Sequence, residues 1–299
     1  MTKLKLNTIR ILSAVAFFAT MTPAGSEAND DKTMSVMYQR DFVEPRAHAS
    51  PFGNPNKALM TYHNGPVLKT VGIAAIFWGP EWADPIFAGD KVTGMDHFFS
   101  GFSGSSYAGT SNEYSSITNL ANYAGYLYDN SAAPVKAPTT AAAVAEACKI
   151  TSNNPDSQTT YFLFTSTGAG NVNYCAWHTW GNCSNGKPIQ VAYIPKLDGI
   201  AGCDPVDNTT GNSQGLAAIA NVTAHELLES ITDPRGNAWY DSSGQENGDK
   251  CAWSFPSTNN GVSTLYNGAQ YKIQMEWSNA AYTAGTGQLN RSGQKGCIY

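Results

Sequence analysis

The feature that most constrains the fold is a long helix that carries ionisable residues in an otherwise apolar pattern. Asn212-Ser213 is a typical helix start, and the pattern continues to about Ile231. The apolar positions fit a period of about 3.6 residues and are Leu216, Ile219, Val222, Leu227 and Ile231. His225 and Glu229 lie four residues apart, so their side chains leave the same face of the helix. Both can therefore reach a single metal ion.

Residues 225–229 read HELLE and differ at one position from the HExxH motif of zinc peptidases. In that motif a glutamate acts as general base between two metal-binding histidines. Glu229 stands where the motif has its second histidine. We predict that His225 and Glu229 bind a metal ion and that Glu226 activates a bound water. In the competing interpretation, His225 and Glu229 form an ordinary i,i+4 pair on a helix surface.

An acidic pair further along the chain supplies candidates for a third ligand. Glu246 follows Glu229 by 17 residues, and Asp249 comes three residues later. We predict that Glu246 is the third ligand and that Asp249 orients a ligand. Asp233 competes for either role, although an Asp-Pro pair at this point is more typical of a turn that ends the helix. The alternative for Glu246 and Asp249 is a solvated turn.

The predicted ligand set suits a divalent metal ion. One histidine and two carboxylates neutralise the charge of the ion and leave a bound water less acidic than a shell of histidines does. The motif indicates zinc, but the oxygen-rich set shifts the preference towards manganese, iron or calcium. A calcium loop of the EF-hand type is not predicted, because the alternating D-x-D-x-D-G pattern is missing.

His178 lies in an aromatic segment, Tyr174–Trp180, that we predict to be a compact loop. We include it as a candidate catalytic residue, because an imidazole N–H can donate a hydrogen bond to a developing oxyanion. Packing among Trp177 and Trp180 is the alternative, and the aromatic pattern favours it. No Gly-rich phosphate loop, GxSxG elbow or Cys/His nucleophile signature is present.

The first 28 residues are predicted to be a signal peptide. A basic start is followed by an apolar run from Ile11 to Met21 and by a cleavage-like site at Ser26-Glu27-Ala28. The apolar run is too short to span a bilayer, and no later segment is apolar for long enough. We therefore predict a mature protein without a membrane span that is secreted or periplasmic.

Charge and cysteine content agree with an exported protein. Without residues 1–28, which hold three basic residues and one acidic residue, the net charge is −7. That charge argues against binding to nucleic acid or to an anionic membrane surface. Six cysteines in an oxidising compartment predict three disulfides, with about 15 possible pairings. We favour Cys251 with Cys297 and leave the others open, as we do the oligomeric state.

The remaining pattern predicts a polar, flexible leader at residues 29–58 and a single domain at residues 59–299. The Gly/Ser/Tyr-rich residues 100–116 are predicted to be a surface loop. The other predicted elements are strands at 71–78, 159–166 and 189–194, one or two strands within 261–277, and helices at 91–99 and 139–149. This order predicts an α+β fold in which a mixed, twisted sheet packs against the long motif-bearing helix, as in zincins.

Four segments carry a resemblance to a known family: TYHNGPVL at 61–68, IAAIFWG at 73–79, HELLESITDP at 225–234, and AWYD with ENGDKC within 238–251. The chain resembles the phosphate-induced protein 1 family, also called EXORDIUM-like, over residues 61–297. The resemblance implies an exported protein with a shared fold, and it implies no substrate. Plant members of the family are extracellular and are linked to cell-wall growth.

Two functions from different classes fit these patterns. The first is an exported metal-dependent hydrolase, a zincin-like metallopeptidase that acts on peptides. The second is a non-catalytic extracellular or cell-wall-associated protein, in which the HExxE region is structural or binds a metal only for stability. A peptide substrate follows from the first function, and a cell-wall polymer partner follows from the second.

Overall fold

The computed structural model describes residues 34–42, 58–115 and 120–299. The strands are β1 (Ser35–Tyr38), β2 (Thr61–Tyr62), β3 (Val71–Trp78), β4 (Ala121–Asp129), β5 (Thr159–Thr165), β6 (Tyr174–Asn182), β7 (Pro188–Ile194), β8 (Trp239–Tyr240), β9 (Ser263–Thr264), β10 (Gln270–Tyr271), β11 (Glu276–Trp277), β12 (Gln288–Leu289) and β13 (Lys295–Ile298). The helices are α1 (Pro85–Ala88), α2 (Lys91–Phe102), α3 (Ser106–Gly109), α4 (Asn112–Ser115), α5 (Thr140–Ile150), α6 (Gln214–Thr232), α7 (Asn247–Lys250) and α8 (Asn279–Ala284). Short 3₁₀ turns lie at Pro80–Ala83, Ala201–Cys203 and Asn259–Gly261.

Six strands form the main sheet in the order β1-β6-β7-β5-β3-β4. Strands β4, β3, β5 and β7 are parallel, whereas β6 runs antiparallel to β7 and β1 runs antiparallel to β6. The parallel strands β3, β5 and β7 are almost continuously buried, because helices cover both faces of this part of the sheet. The predicted α+β fold with a mixed sheet and a long helix is confirmed.

Alternation along the strands separates the core into two layers. One layer joins Phe77, Phe162 and Ala176 to α2 and α6. The other joins Leu163 and Trp177 to α5. Because successive residues of a strand point to opposite faces, α6 and α5 lie on opposite sides of the sheet.

Strands β3, β5 and β7 and helices α2, α5 and α6 lie where the sequence predicts them. The predicted aromatic loop at Tyr174–Trp180 is wrong, because these residues belong to β6. The predicted surface loop at 100–116 is also wrong in part, since it contains α3 and α4 and the fully buried Tyr107. Strand β4 was not predicted.

The leader at residues 29–58 is predicted to be flexible, yet part of it belongs to the fold. Ser35–Tyr38 forms β1, which pairs with β6 at the end of the main sheet, and Met37 is fully buried there. Residues 29–33 and 43–57 and the predicted signal peptide lie outside the described residues. The expectation of flexibility is therefore corrected for β1.

The three predicted disulfides are present. They join Cys148 to Cys183, Cys175 to Cys203, and Cys251 to Cys297, and the last pair is the one we favoured. Three disulfides fit an oxidising environment. Within the described ranges, no helix is long and apolar enough to cross a membrane.

Candidate metal centre

The C-terminal half of α6 positions the HExxE motif inside the protein. Ser213 caps the helix by accepting a hydrogen bond from the N–H of Leu216, and the helix then runs for 19 residues. It packs against β6, β7 and α7. His225, Glu226 and Glu229 are each 0% exposed. The interpretation of His225 and Glu229 as a surface pair is therefore wrong, because this face of the helix is covered.

Glu229 lies at the centre of the cluster, between two histidines. Its Oε1 is 3.1 Å from Nε2 of His225, and its Oε2 is 3.7 Å from Nδ1 of His178. The backbone N–H of Asp249 donates to Oε1 at 3.0 Å, and the hydroxyl of Ser35 donates to Oε2 at 3.2 Å. Each oxygen of this carboxylate thus faces a different set of groups.

His178 and Glu226 form a buried pair with one proton between them. Nε2 of His178 is 3.3 Å from the carbonyl oxygen of Asp233, so this nitrogen carries a proton and donates. Nδ1 is 3.1 Å from Oε2 of Glu226, and the proton in this contact can reside on either partner. Because the pair can both take up and release a proton, it suits general acid–base chemistry.

The tautomer of His225 is set by Gln274. The amide nitrogen of Gln274 donates to the carbonyl oxygen of Gly248 at 2.9 Å and lies 3.0 Å from Nδ1 of His225. Neutral His225 therefore accepts at Nδ1 and carries its proton on Nε2, towards Glu229 and Asp249. A metal ion on Nε2 would take the place of that proton, and Nδ1 would then donate to a rotated Gln274 amide.

Helix α7 brings the downstream acidic pair to the motif. Oδ1 of Asp249 is 3.9 Å from Nε2 of His225, while Oδ2 accepts the backbone N–H of Glu246 at 3.2 Å. Glu246 is buried, and its Oε2 hydrogen-bonds to the hydroxyl of Ser35. The alternative of a solvated turn is therefore wrong for Glu246. Asp249, predicted to orient a ligand, lies beside His225 and Glu229 in the place predicted for Glu246.

A glycine permits the close approach of α7 to α6. A Cβ on Gly248 would lie 2.8 Å from Nδ1 of His225 and 2.9 Å from Oε1 of Glu229. Such contacts are shorter than van der Waals separations, so any other residue here would push the two helices apart. The disulfide from Cys251 to Cys297 ties the end of α7 to β13.

Asp233 has the structural role that the Asp-Pro pair indicates. It is the residue at which α6 ends, and its Oδ1 accepts the backbone N–H groups of Asn237 and Ala238 at 2.7 and 2.8 Å. Its other oxygen is buried and, among the described residues, has no hydrogen-bond partner. Asp233 thus closes a turn while it adds a carboxylate near His178.

The carboxyl groups of the cluster differ in their affinity for protons. Burial raises the pKa of Glu226 and Glu246, and burial together with the charge of Glu229 raises the pKa of Asp249 to about 8. Burial also raises the pKa of Asp233 to about 6. Burial alone would raise the pKa of Glu229, but His225 and His178 hold it below its usual range. Glu229 is therefore the group most readily ionised.

Burial also acts on the two histidines, in the opposite sense. Alone it would lower the pKa of both imidazoles, yet Glu226 raises the pKa of His178 and Glu229 raises that of His225. The whole cluster therefore retains protons that a bound cation could displace.

The donor atoms fit a divalent cation. Two sets of three residues place one ligand atom each within 4.8 Å of the others: His225, Glu229 and Asp249, and His178, Glu226 and Glu229. In the described part of the chain, His225 Nε2, Glu226 Oε1 and Glu246 Oε1 are buried without a hydrogen-bond partner. Buried polar atoms are rarely left unpaired. His225 belongs to the first of these sets and Glu226 to the second, whereas Glu246, the predicted third ligand, belongs to neither.

Several members of the cluster had no signal in the sequence. Ser35 lies about 190 residues from Glu229 along the chain and reaches it only through the pairing of β1 with β6. Gln274 and Gly248 have no motif of their own, although Gly248 lies between two predicted acidic residues. His178 has its signal in the alternation of β6, which we read as a loop.

No protein-family model, no curated protein and no solved structure matches this chain. The geometry of the cluster therefore carries the functional argument, and the EXORDIUM-like resemblance stays a prediction.

Proposed function

We propose that this protein is an exported, metal-dependent hydrolase of zincin-like type that cleaves peptides. The observation that supports it best is the convergence of His225, Glu229 and Asp249, with ligand atoms within 4.8 Å of one another. His225 Nε2 faces the carboxylates of Glu229 and Asp249, at 3.1 and 3.9 Å, so a cation that displaced its proton would lie among three ligands. Glu246, joined to Glu229 through Ser35, is the adjacent carboxylate.

A divalent ion bound by these residues would act as a Lewis acid and make a bound water more acidic. Glu226 takes the proton of the attacking water, because its Oε1 has no hydrogen-bond partner among the described residues. His178 shares the proton at Oε2 of the same carboxylate and can pass it to the leaving amine. Asp233 keeps His178 oriented through its backbone carbonyl.

One observation favours a second candidate, a non-catalytic extracellular protein of the EXORDIUM-like kind. Every residue of the motif is closed off from solvent, and the hydroxyl of Ser35 hydrogen-bonds to Glu229 and Glu246. A hydrolase needs a path for its substrate to this cluster. The two functions therefore differ in whether a substrate can reach the cluster and be turned over, since the non-catalytic protein can also hold a metal for stability.

The test measures metal content and turnover in the same purified samples. Elemental analysis of the full chain should give metal near one equivalent, and Zn²⁺, Mn²⁺ or Ca²⁺ should raise the melting temperature of chelator-treated protein. Glu226→Gln should keep the metal and lose roughly 10²–10⁴-fold in rate against a broad peptide library. Glu229→Gln should lose the metal.

Glu276→Gln is the matched control for both variants. Glu276 is as buried as the motif, but its oxygens accept hydrogen bonds from Tyr107 and Asn247 at 2.8 and 3.1 Å. This variant should keep metal and turnover. Substoichiometric metal, with no stabilisation by added ions, would instead support the non-catalytic protein.

A further inference from the structure

Strand β1 is the edge strand of the main sheet and lies beside the candidate metal centre. It pairs antiparallel with β6, with Ser35 opposite His178, Val36 opposite Trp177 and Met37 opposite Ala176. At the end of the strand, the indole N–H of Trp253 donates to the carbonyl oxygen of Tyr38 at 2.9 Å. We call the place that β1 occupies, along β6 and against the indole of Trp253, the groove.

The register of β1 places Ser35 against the reacting groups of the proposed function. Ser35 and His178 are opposite each other, and alternation along the strands sends both side chains towards α6. There the hydroxyl of Ser35 hydrogen-bonds to Glu229 and Glu246. Two residues further, Met37 points the same way and is 0% exposed within the α6-side core.

Main-chain pairing of this kind is not specific to one sequence. An extended peptide can add to the edge of a sheet through backbone hydrogen bonds, while pockets for alternate side chains provide selectivity. Without β1, strand β6 would be the edge of the sheet, and its edge would run past His178. The side chains of β1 show what such a groove accepts at two alternate positions, a small polar residue and a long apolar one.

We propose that the groove between β6 and Trp253 is the binding site for an extended peptide and that residues 35–38 occupy it as a replaceable strand of the protein itself. The ligand is an extended segment of an unfolded polypeptide, with a small residue opposite His178 and an apolar residue two positions later. The assignment of this peptide as the substrate rests on the proposed function. The contacts of Ser35 with Glu229 and Glu246 then follow from occupation of the groove by β1.

The test uses the full chain, treated with chelator so that no turnover can occur. The probe is a fluorescent nine-residue peptide, MSVMYQRDF, which has the sequence of residues 34–42. Binding is followed by fluorescence polarisation for the parent protein, Met37→Asp and Ser35→Asp. Met37→Asp places a charge in the apolar core, whereas Ser35→Asp adds a carboxylate beside Glu229 and Glu246 without altering the core.

Both variants should bind the peptide at least ~10-fold more tightly than the parent, because displaced β1 no longer competes for the groove. The same peptide with Asp in place of its second methionine should not bind. Leu289→Asp introduces an aspartate at an exposed strand position outside β1 and controls for the added charge. This variant should bind the peptide as weakly as the parent does. If Met37→Asp does not fold, Ser35→Asp still provides the test.

Hydrogen exchange of the backbone amides shows whether β1 is released in variants that do not bind the peptide. Amides of β6 should lose protection in the variants and regain it when the peptide is added. Folded variants that release β1 but bind no peptide would overturn the proposal, and so would variants in which β1 stays paired. Because the peptide-binding assay needs no metal, its result does not depend on the metal and turnover tests of the proposed function. A protein that binds metal and shows turnover, but whose variants do not bind the peptide, would refute the peptide groove and leave the proposed function standing.

Discussion

The two halves of α6 are equally buried, but they bury different chemistry. Residues 215–224 are buried and mostly apolar, and Leu216, Ile219 and Val222 are at most 2% exposed. This half packs so closely on α2 that a Cβ on Gly94 would lie 2.3 Å from Leu216. Residues 225–232 instead place two glutamates and a histidine in the interior. We call these the apolar half and the polar half.

The buried ionisable groups of the polar half are not expected to add to the stability of the fold. Replacing a buried set of ionisable groups by apolar residues of similar volume is often neutral or stabilising, so such groups are weak evidence for stability. The described unpartnered atoms of the apolar half are neutral, on Asn221 and Thr223, whereas those of the polar half are on His225 and Glu226. Buried ionisable groups of this kind support the proposed metal site.

The largest expected effect comes from a carboxylate placed in the apolar half. Ala220 is fully buried in the apolar core, so Ala220→Asp should cost more than ~4 kcal/mol in the free energy of unfolding or prevent folding. Glu246→Gln in metal-free protein should cost less than ~1 kcal/mol, because the raised pKa of this buried carboxyl favours its neutral form, which resembles an amide. Urea unfolding of both variants measures the contrast.

A similar cost for both variants would remove the distinction between the halves, since Glu246 would then be a structural residue like its apolar neighbours. Glu246→Gln should also weaken the binding of added metal, which separates its role from that of Ala220.

Sequence periodicity predicted the apolar elements of the fold, including the apolar half of α6, well. The runs that became β3 and β5 are bounded by Gly79-Pro80 and by polar residues, and helix α6 has a serine cap and a regular apolar stripe. Such elements are specified by local chemistry and by burial on both sides. Their limits agree with the structure to within a few residues.

Only some residues of the cluster around the polar half of α6 were predicted, because its geometry depends on the pairing of strands that are far apart in the chain. The spacing of His225 and Glu229 is local and could be read directly, whereas β6 has too many polar residues to look like a buried strand. A four-residue strand such as β1 carries almost no signal of its own. Consequently His178 was a candidate on weak grounds and Ser35 was not a candidate.

The next largest effect should come from the disulfide next to the polar half. Cys251→Ser with Cys297→Ser should lower the free energy of unfolding by about 2–4 kcal/mol and also weaken metal binding, since the bridge holds α7. The matched double variant at Cys148 and Cys183 lies on the α5 side of the sheet. It should cost a similar amount in stability without a change in metal affinity, as measured by calorimetric titration. Equal loss of affinity in both would mean that metal binding follows global stability.

A smaller effect should come from a single methyl group between the helices. Gly248→Ala forces a contact shorter than 3 Å with His225 and Glu229, so the free energy of unfolding should fall by about 1–3 kcal/mol. The loss of metal affinity should exceed tenfold, because the two ligands can no longer keep their positions. Gly168→Ala is the control, since its Cβ would lie 3.7 Å from the nearest carbonyl oxygen. Unchanged metal binding in Gly248→Ala would place the metal elsewhere.

The last effect should be a dependence of metal-free stability on pH that has its origin in the polar half. The pKa of Asp249 rises on folding from 3.8 to about 8, so between these values the folded protein holds more protons than the unfolded chain. The free energy of unfolding should then fall as pH rises through this window. Asp249→Asn should flatten the dependence in thermal melts. Added Mn²⁺ should stabilise the parent more at about pH 8 than at about pH 5, because protons compete with the ion for the same carboxylates. A metal-free protein whose stability rises over this range would show that the cluster is already ionised and paired, and the contrast between the two halves of α6 would then be one of packing alone.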